Sequence, residues 1–564
     1  MTHFSPGQIA TVQLKNAPPK KVLILTPPDS ESYIEAALLL SSISSTSQVF
    51  HLQSSDWSTH PLHDLIAISL RERHLYHTTS LTPTDSSLTT SALLRYQKKL
   101  ILTLTQHYSH LAHTRQRPGY QHDAPPFTPH QDTIPYAGRV FDAAEVTAAV
   151  NSILDFWLTL GPEGEAFETE LAQYLGVKRS LLVNSGSSAN LLALSALTSP
   201  KLPPERRILP GDEVITTAAG FPTTVAPIIQ CGAIPVFLDN DPLTLNADLT
   251  HLEEAHRPGK TKAVIMAHTL GNPFDLDRIT DFCQKHNLWL IEDNCDALGA
   301  RYAGRLTGTW GDLSTQSFYP PHHLTMGEGG AVNIVRDMKL KVLVESFRDW
   351  GRDCWCPSGK DNTCNKRFGW QLGELPQGYD HKYIYSHLGY NLKPLDPQAA
   401  IARQQLLKLP HFIQARQHNW LTLRQGLHDL SEFFDFHLPT HAKDWSPQTG
   451  FTWHKNKPEN YVQPSWFGFM LLVKPNAPFT RTELARHLDQ KKIGNRMLFG
   501  GNLLRQPAFV QLRKERPESI RIIGDLKGAD RILNHALFIG VYPGLTPAML
   551  DYMIEAIHDF VRSR

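Results

Sequence analysis

Leu288-Trp289-Leu290-Ile291-Glu292-Asp293-Asn294-Cys295-Asp296 reads as a buried strand that ends in acid. Four apolar residues in a row leave no polar face for water, as in a parallel strand covered on both sides. Carboxylates then crowd the carboxyl end, which is where sheets of this class bind their ligands. Similar short runs recur at Ser180–Val183, Glu213–Thr216, Pro235–Leu238, Ala263–Ala267, Leu313–Phe318 and Ala331–Val335, separated by helix-length segments. This alternation predicts an α/β fold with a mostly parallel, seven-stranded sheet.

That pattern fills a large domain, residues 138–396, and a helix-rich remainder, 397–564, reads as a smaller C-terminal α/β domain. Residues 96–137 hold a helix, Ser91–Arg115, that leads into a proline-rich arm, Arg117–Pro135. Residues 1–95 read as a separate N-terminal extension with an apolar run at Val22–Leu25, a helix-like Glu31–Ile43 and a hydroxyl-rich loop near Thr78–Thr90. No glycine-rich phosphate loop or catalytic constellation occurs in it.

The chain has 564 residues, with 55 Lys+Arg against 54 Asp+Glu, and this balance gives no electrostatic case for nucleic acid or an anionic membrane. No run approaches the ~20 apolar residues of a membrane helix, and Met1 to Lys21 lacks the apolar core of a signal peptide. The cytoplasm is therefore the expected compartment. There, the six cysteines are expected to be free, metal-bound or catalytic rather than disulfide-bonded.

Three stretches carry chemistry. Asn184-Ser185-Gly186-Ser187-Ser188-Ala189-Asn190 lies between a strand and an apolar helix, and it offers free N–H groups and hydroxyls to an anion, although Ser-Gly-Ser is also ordinary turn chemistry. Asp293 and Asp296 stand at a strand end, where a carboxylate serves either a cationic ring or a helix cap. The third is Ser317-Phe318-Tyr319-Pro320-Pro321-His322-His323-Leu324-Thr325-Met326-Gly327-Glu328-Gly329-Gly330, which has two histidines and no lysine. Cys295, Cys354, Cys356 and Cys364 form a fourth feature that suits either structural zinc or an iron–sulfur cluster. Cys231 and Cys283 read as buried apolar fillers.

In order and spacing these stretches resemble the fold-type-I, PLP-dependent sugar aminotransferases and dehydratases, the DegT/DnrJ/EryC1/StrS group, over roughly residues 100 to 564. Further strings carry the likeness: Ala218–Thr224, Met266–Asn272, Ser346–Arg352, Tyr385–Lys393 and Trp466–Phe469. Within the group the match runs to the 3-dehydratases of 3,6-dideoxyhexose synthesis. The resemblance implies that Gly186, Ser187, Ser188 and Ser317 hold a cofactor phosphate, that Phe221 stacks on the pyridine, that Asp293 pairs with the ring nitrogen and that Asp296 lies near the ring hydroxyl. Asn391 would reach the phosphate of a neighbouring subunit in a homodimer. His322 stands where the aminotransferases keep their Schiff-base lysine, with His323 as the confounder. Such a chain binds pyridoxamine phosphate rather than a lysine-linked pyridoxal, and uses the imidazole as a base.

The same resemblance implies a [2Fe–2S] cluster on Cys295, Cys354, Cys356 and Cys364, with one residue more than the family has in the first gap. It further implies a nucleotide-linked 4-keto-6-deoxyhexose substrate, CDP-4-keto-6-deoxy-D-glucose in the first instance, dehydrated at C3. Electrons would come from an NAD(P)H-dependent flavin/iron–sulfur reductase. Arg496 and Lys393 read either as phosphate or sugar contacts or as salt-bridge residues. Two other readings remain: a lysine-free homologue whose cysteines hold zinc or nothing, and a non-catalytic regulatory homologue.

Overall fold

The structure, a computed structural model, describes residues 90–116, 126–356, 361–454 and 456–564, together with four strands nearer the amino terminus. It divides into two compact units, Met1–Tyr108 and Ser109–Arg564. In the first, Ile9–Val12, Lys20–Leu25, Tyr33–Leu38 and Val49–Gln53 form an antiparallel sheet in that order. Tyr33–Leu38 falls inside the segment expected to be helical. It is instead one of the sheet's two inner strands, paired on both sides, Val22 with Leu38 and Tyr33 with Gln53. Over so few residues an apolar run does not separate helix from strand, and sheet neighbours decide it. The expected helix after the extension runs Thr90–Ala112.

The second unit is built on an eight-stranded sheet in the order Arg521–Ile522, Ile234–Leu238, Glu213–Thr217, Thr261–Ala267, Trp289–Asp293, Leu313–Ser317, Gly330–Ile334, Arg179–Val183. Seven of these strands were expected. The eighth, Arg521–Ile522, adds a two-residue edge beside Ile234–Leu238. Pairing is parallel as far as Leu313–Ser317, and Gly330–Ile334 is antiparallel to both its neighbours.

Alternate residues of each inner strand enter opposite apolar layers: Val214, Ile265 and Ile291 on one face, Ile215, Val264 and Leu290 on the other. Helices Gly186–Ala196 and Lys339–Arg348 cover the first face, and Leu276–Lys285 covers the second. A second sheet, Phe434–Phe436, Gly468–Val473, Ala536–Gly540 and Asn495–Met497, is antiparallel throughout. The 31-residue helix Asp396–Gly426 contributes to the core around it through Phe412, Trp420 and Leu423. Among the described residues, no helix is long and apolar enough to cross a membrane.

A buried ion pair fixes the strand that leads into the Ser-Gly-Ser turn. Arg348 Nη1 donates to Glu168 Oε1 at 3.1 Å and to the Leu182 carbonyl at 3.1 Å, while Leu182 N–H donates to the same carboxylate at 2.9 Å. Both side chains are about 5% exposed or less. Arg348→Ala should therefore cost about 3–5 kcal/mol, because it strands a buried carboxylate. Denaturant unfolding checks this, and a loss under about 1 kcal/mol would show that the pair is not the clamp.

Candidate active site

The carboxyl ends of Arg179–Val183, Trp289–Asp293 and Leu313–Ser317 converge on the first turn of helix Gly186–Ala196. Ser185 caps that helix by accepting from Ser188 N–H at 3.1 Å. The N–H groups of Gly186 and Ser187 have no intrahelical acceptor and carry the positive end of the helix dipole. Glycine at 186 is a packing requirement. A Cβ there would stand 2.6 Å from Ser317 Cβ and 3.1 Å from Cys295 Sγ. Gly186, Ser187, Ser188 and Ser317 are thus brought to one turn.

Asp293 lies one helical turn along, 5% exposed. Its Oδ2 accepts from Asn190 Nδ2 at 2.8 Å and Thr224 Oγ1 at 2.7 Å, and Oδ1 accepts from Cys295 N–H at 3.2 Å. Thr315 Oγ1 in turn donates to Asn190 Oδ1 at 2.7 Å. The carboxylate is held by three donors, and Oδ1 keeps a free lone pair for a cationic ring N–H. Asn190, Thr224 and Thr315 were not singled out as site residues. The first two lie inside strings already noted, but no local pattern says which carboxylate they serve. Phe221 precedes helix Pro222–Gln230, is half exposed and meets Phe499 edge-on at 5.7 Å.

His322 and His323 part company. His323 is 2% exposed and donates from Nε2 to the Ser465 carbonyl at 2.7 Å, which marks it as part of the packing. His322 faces the acidic strand end, its Nδ1 3.6 Å from Asp296 Oδ1, beyond hydrogen-bond reach and without another acceptor. Burial, together with the Arg416 charge, pulls the His322 imidazole down to about 4. Burial and the neighbouring Asp293 push Asp296 up to about 8. At pH 7 this pocket therefore holds a neutral imidazole beside a protonated carboxyl, and the close approach is not an ion pair.

Arg416 is the residue the sequence did not reveal. It is 1% exposed and reaches the carbonyls of Pro321 (3.1 Å) and His322 (3.0 Å) with Nη2, and those of Trp466 (3.3 Å) and Phe467 (3.4 Å) with Nη1. Burial draws its pKa down to about 9, which leaves it charged at neutral pH. It pins the histidine loop to the segment that leads into strand Gly468–Val473, across 94 residues of chain from His322.

Asn391 is exposed and pairs by backbone bridge with Asp349. Lys393 donates to Asp349 Oδ1 at 3.0 Å and stands 3.9 Å from the Trp350 ring centre, while Arg496 lies over Tyr136 at 4.2 Å. Cys283 is buried in the core, and Cys231 lies 3.8 Å from Ser195 Oγ.

The four cysteines do not assemble in one copy of the chain. Cys354, Cys356 and Cys364 gather. Cys356 N–H approaches Cys354 Sγ at 3.4 Å, and against burial the Thr363 hydroxyl and the Cys364 backbone bring the Cys356 thiol down to about 7. Cys295 stands with Gly186 and Asp293 instead, its thiol pushed well up by burial and by Asp293. Among the described residues, the ligand atoms that lie within 4.8 Å of one another belong to Asp275, Asp277 and His441. There Lys457 Nζ, 2.5 Å from Asp277, already supplies the cation.

The model for the DegT/DnrJ/EryC1/StrS aminotransferase family matches residues 141–558. Lipopolysaccharide biosynthesis protein RfbH of Salmonella typhimurium is 50% identical over 435 residues, covering 77% of this chain and 93% of that protein. The dTDP-4-dehydro-2,6-dideoxy-D-glucose 3-dehydratase of Saccharopolyspora spinosa is 47% identical over 441 residues, 78% of this chain and 89% of that protein. Among solved structures, E. coli GDP-4-keto-6-deoxy-D-mannose-3-dehydratase with bound hydrated PLP superposes with a TM-score of 0.64 at 28% identity, covering 75% of this chain and 99% of that one.

Proposed function

Because the chain belongs to the DegT/DnrJ/EryC1/StrS aminotransferase family and has the fold of its PLP-dependent enzymes, we propose that it is a nucleotide-sugar 3-dehydratase working with pyridoxamine phosphate. The observation that carries this reading is His322, a neutral imidazole in the loop between Ser317 and Gly330 that holds no lysine. The residues present suit the cofactor. A helix N-terminus with Ser187, Ser188 and Ser317 takes a phosphate, Asp293 takes a protonated ring nitrogen, Phe221 covers a ring face and Asp296 meets the ring hydroxyl. When bound, the cofactor supplies an amine for the sugar's 4-keto group and a ring that accepts electron density. His322 takes and returns the proton at the cofactor's C4′ carbon, Asp293 keeps the ring nitrogen charged, and Arg416 holds the histidine loop in place.

The proposed substrate is a nucleotide-linked 4-keto-6-deoxyhexose, with the CDP-linked glucose derivative tested first and the dTDP- and GDP-linked sugars of the relatives' names as comparisons. A [2Fe–2S] cluster on Cys295, Cys354, Cys356 and Cys364 and an outside NAD(P)H-dependent flavin/iron–sulfur reductase belong to the same reading, as do a homodimer completed through Asn391 and a cytoplasmic location. The cluster does not fit the cysteines of a single copy. That separation favours a second reading, a lysine-free dehydratase with no redox centre.

The test is anaerobic incubation of pyridoxamine phosphate-loaded protein with each of the three sugars, followed by mass spectrometry. Loss of water at C3 from one of them is expected. Amino transfer without dehydration, or no turnover of any sugar, would overturn the proposal.

A further inference from the structure

We infer that an aromatic wall at the edge of the second sheet positions two side chains of the site: Phe467 seats the His322 imidazole and Phe499 seats the Phe221 ring. This rests on the roles proposed above for His322 and Phe221, and names what holds them in place. Four rings follow one another across the site. Phe221 meets Phe499 edge-on at 5.7 Å between ring centres, Phe499 meets Phe467 at 6.2 Å, and Phe467 meets the His322 ring at 5.2 Å. Phe538, buried on strand Ala536–Gly540, backs Phe499 at 6.0 Å and Phe467 at 6.2 Å. Gly468 makes room for it, since a Cβ there would stand 2.5 Å from Phe538 Cδ2.

At the first end of the wall, His322 Nδ1 has no hydrogen-bond partner, which leaves the tilt of the imidazole to its packing on Phe467. Phe467 is itself fixed. Its N–H donates to the Leu270 carbonyl at 2.9 Å, and its carbonyl accepts from Arg416 Nη1 at 3.4 Å. The same guanidinium holds the His322 carbonyl at 3.0 Å, so the base and the ring beneath it share one anchor.

At the other end, Phe499 has a φ of +43°, a left-handed conformation that a bulky side chain adopts only where its surroundings impose it. Here the turn that carries Phe499 is bonded to the turn that carries Phe221. Leu503 N–H donates to the Ala218 carbonyl at 2.9 Å, Gly500 N–H to the Gly220 carbonyl at 3.2 Å, and Gly220 N–H to the Gly501 carbonyl at 3.4 Å. Asn240 clasps the far side, accepting from Ala219 N–H at 2.8 Å and donating to the Ala219 carbonyl at 3.1 Å. The outcome of this strain is an aromatic edge held against Phe221, whose own ring is half exposed.

Two alanine variants should separate the two ends. Phe467→Ala should lower the single-turnover rate per bound cofactor about ten- to a hundredfold, the scale of a displaced reacting group, with pyridoxamine phosphate affinity held to within about twofold. Phe499→Ala should do the reverse, weakening pyridoxamine phosphate about three- to tenfold, the worth of an aromatic pair, with the rate per bound cofactor nearly unchanged. Calorimetric titration of cofactor-free protein reads the affinity without any turnover. Phe467→Leu and Phe499→Leu keep most of the bulk and should show the same split at about three- to fivefold, which carries the test if an alanine variant does not fold. Equal losses of rate and affinity in both variants would mean general loosening and would overturn the wall as a positioning device. Wild-type rates and affinities in both would overturn it too. A wild type that turns over none of the sugars would instead overturn the function proposed above, and the assignment of Phe467 with it.

Discussion

His322→Asn should lower dehydration by about two to four orders of magnitude while leaving the fold and cofactor binding in place. The loss is that of a base placed against the acidic end of strand Trp289–Asp293, with the loop carbonyls still held by Arg416. Asparagine keeps a polar side chain of similar reach and cannot accept a proton. Single-turnover consumption of the sugar by loaded protein measures the effect, and turnover within about threefold of wild type would remove His322 from the mechanism. The wild-type pH profile offers a second check. Burial and Arg416 hold the imidazole down to about 4, so the base form is already present well below pH 6.5. As pH falls, kcat/KM should stay level through pH 6 and decline only toward 4, since activity is lost when the base is protonated.

Asp293→Asn should cost about two to three orders of magnitude in rate, the scale of losing one preorganised electrostatic partner in a closed site. The substitution keeps an oxygen for Asn190 and Thr224, gives up the acceptor of Cys295 N–H, and removes the charge opposite the ring nitrogen. A ring no longer held protonated is a weaker electron acceptor, so the chemical step suffers more than sugar binding. Single-turnover rates with sugar saturation curves separate the two. A rise in KM with unchanged kcat would mean that Asp293 serves binding alone.

Much of the sheet was legible, because buried parallel strands must be continuously apolar and their ends must carry whatever polar groups serve a ligand. Leu288–Ile291 and Ala263–Ala267 announced themselves in this way, whereas Leu313–Ser317 is buried although four of its five residues are polar. Arg521–Ile522 did not, since two residues carry no period and exist as a strand only because Ile234–Leu238 leaves an edge beside them. Tyr33–Leu38 was misread for the related reason that local apolar content does not say which neighbours are waiting.

At the site, Gly186, Asp293, Ser317 and His322 were reached through the family resemblance that their short segments carry, since the segments alone left ordinary turns and helix caps as alternatives. The sequence also determined that no lysine is available in the histidine loop. Only the tertiary structure decided that His322 faces Asp296 while His323 is consumed by Ser465, that Asn190 and Thr224 brace Asp293, and that Arg416 clamps the loop from a distant helix. It alone separated Cys295 from Cys354, Cys356 and Cys364, which sequence spacing had grouped. The physical reason is common to all of these. Residue type and spacing fix what a side chain can do, but its partner is set by which strands and helices pack together, and packing joins residues without regard to their separation along the chain.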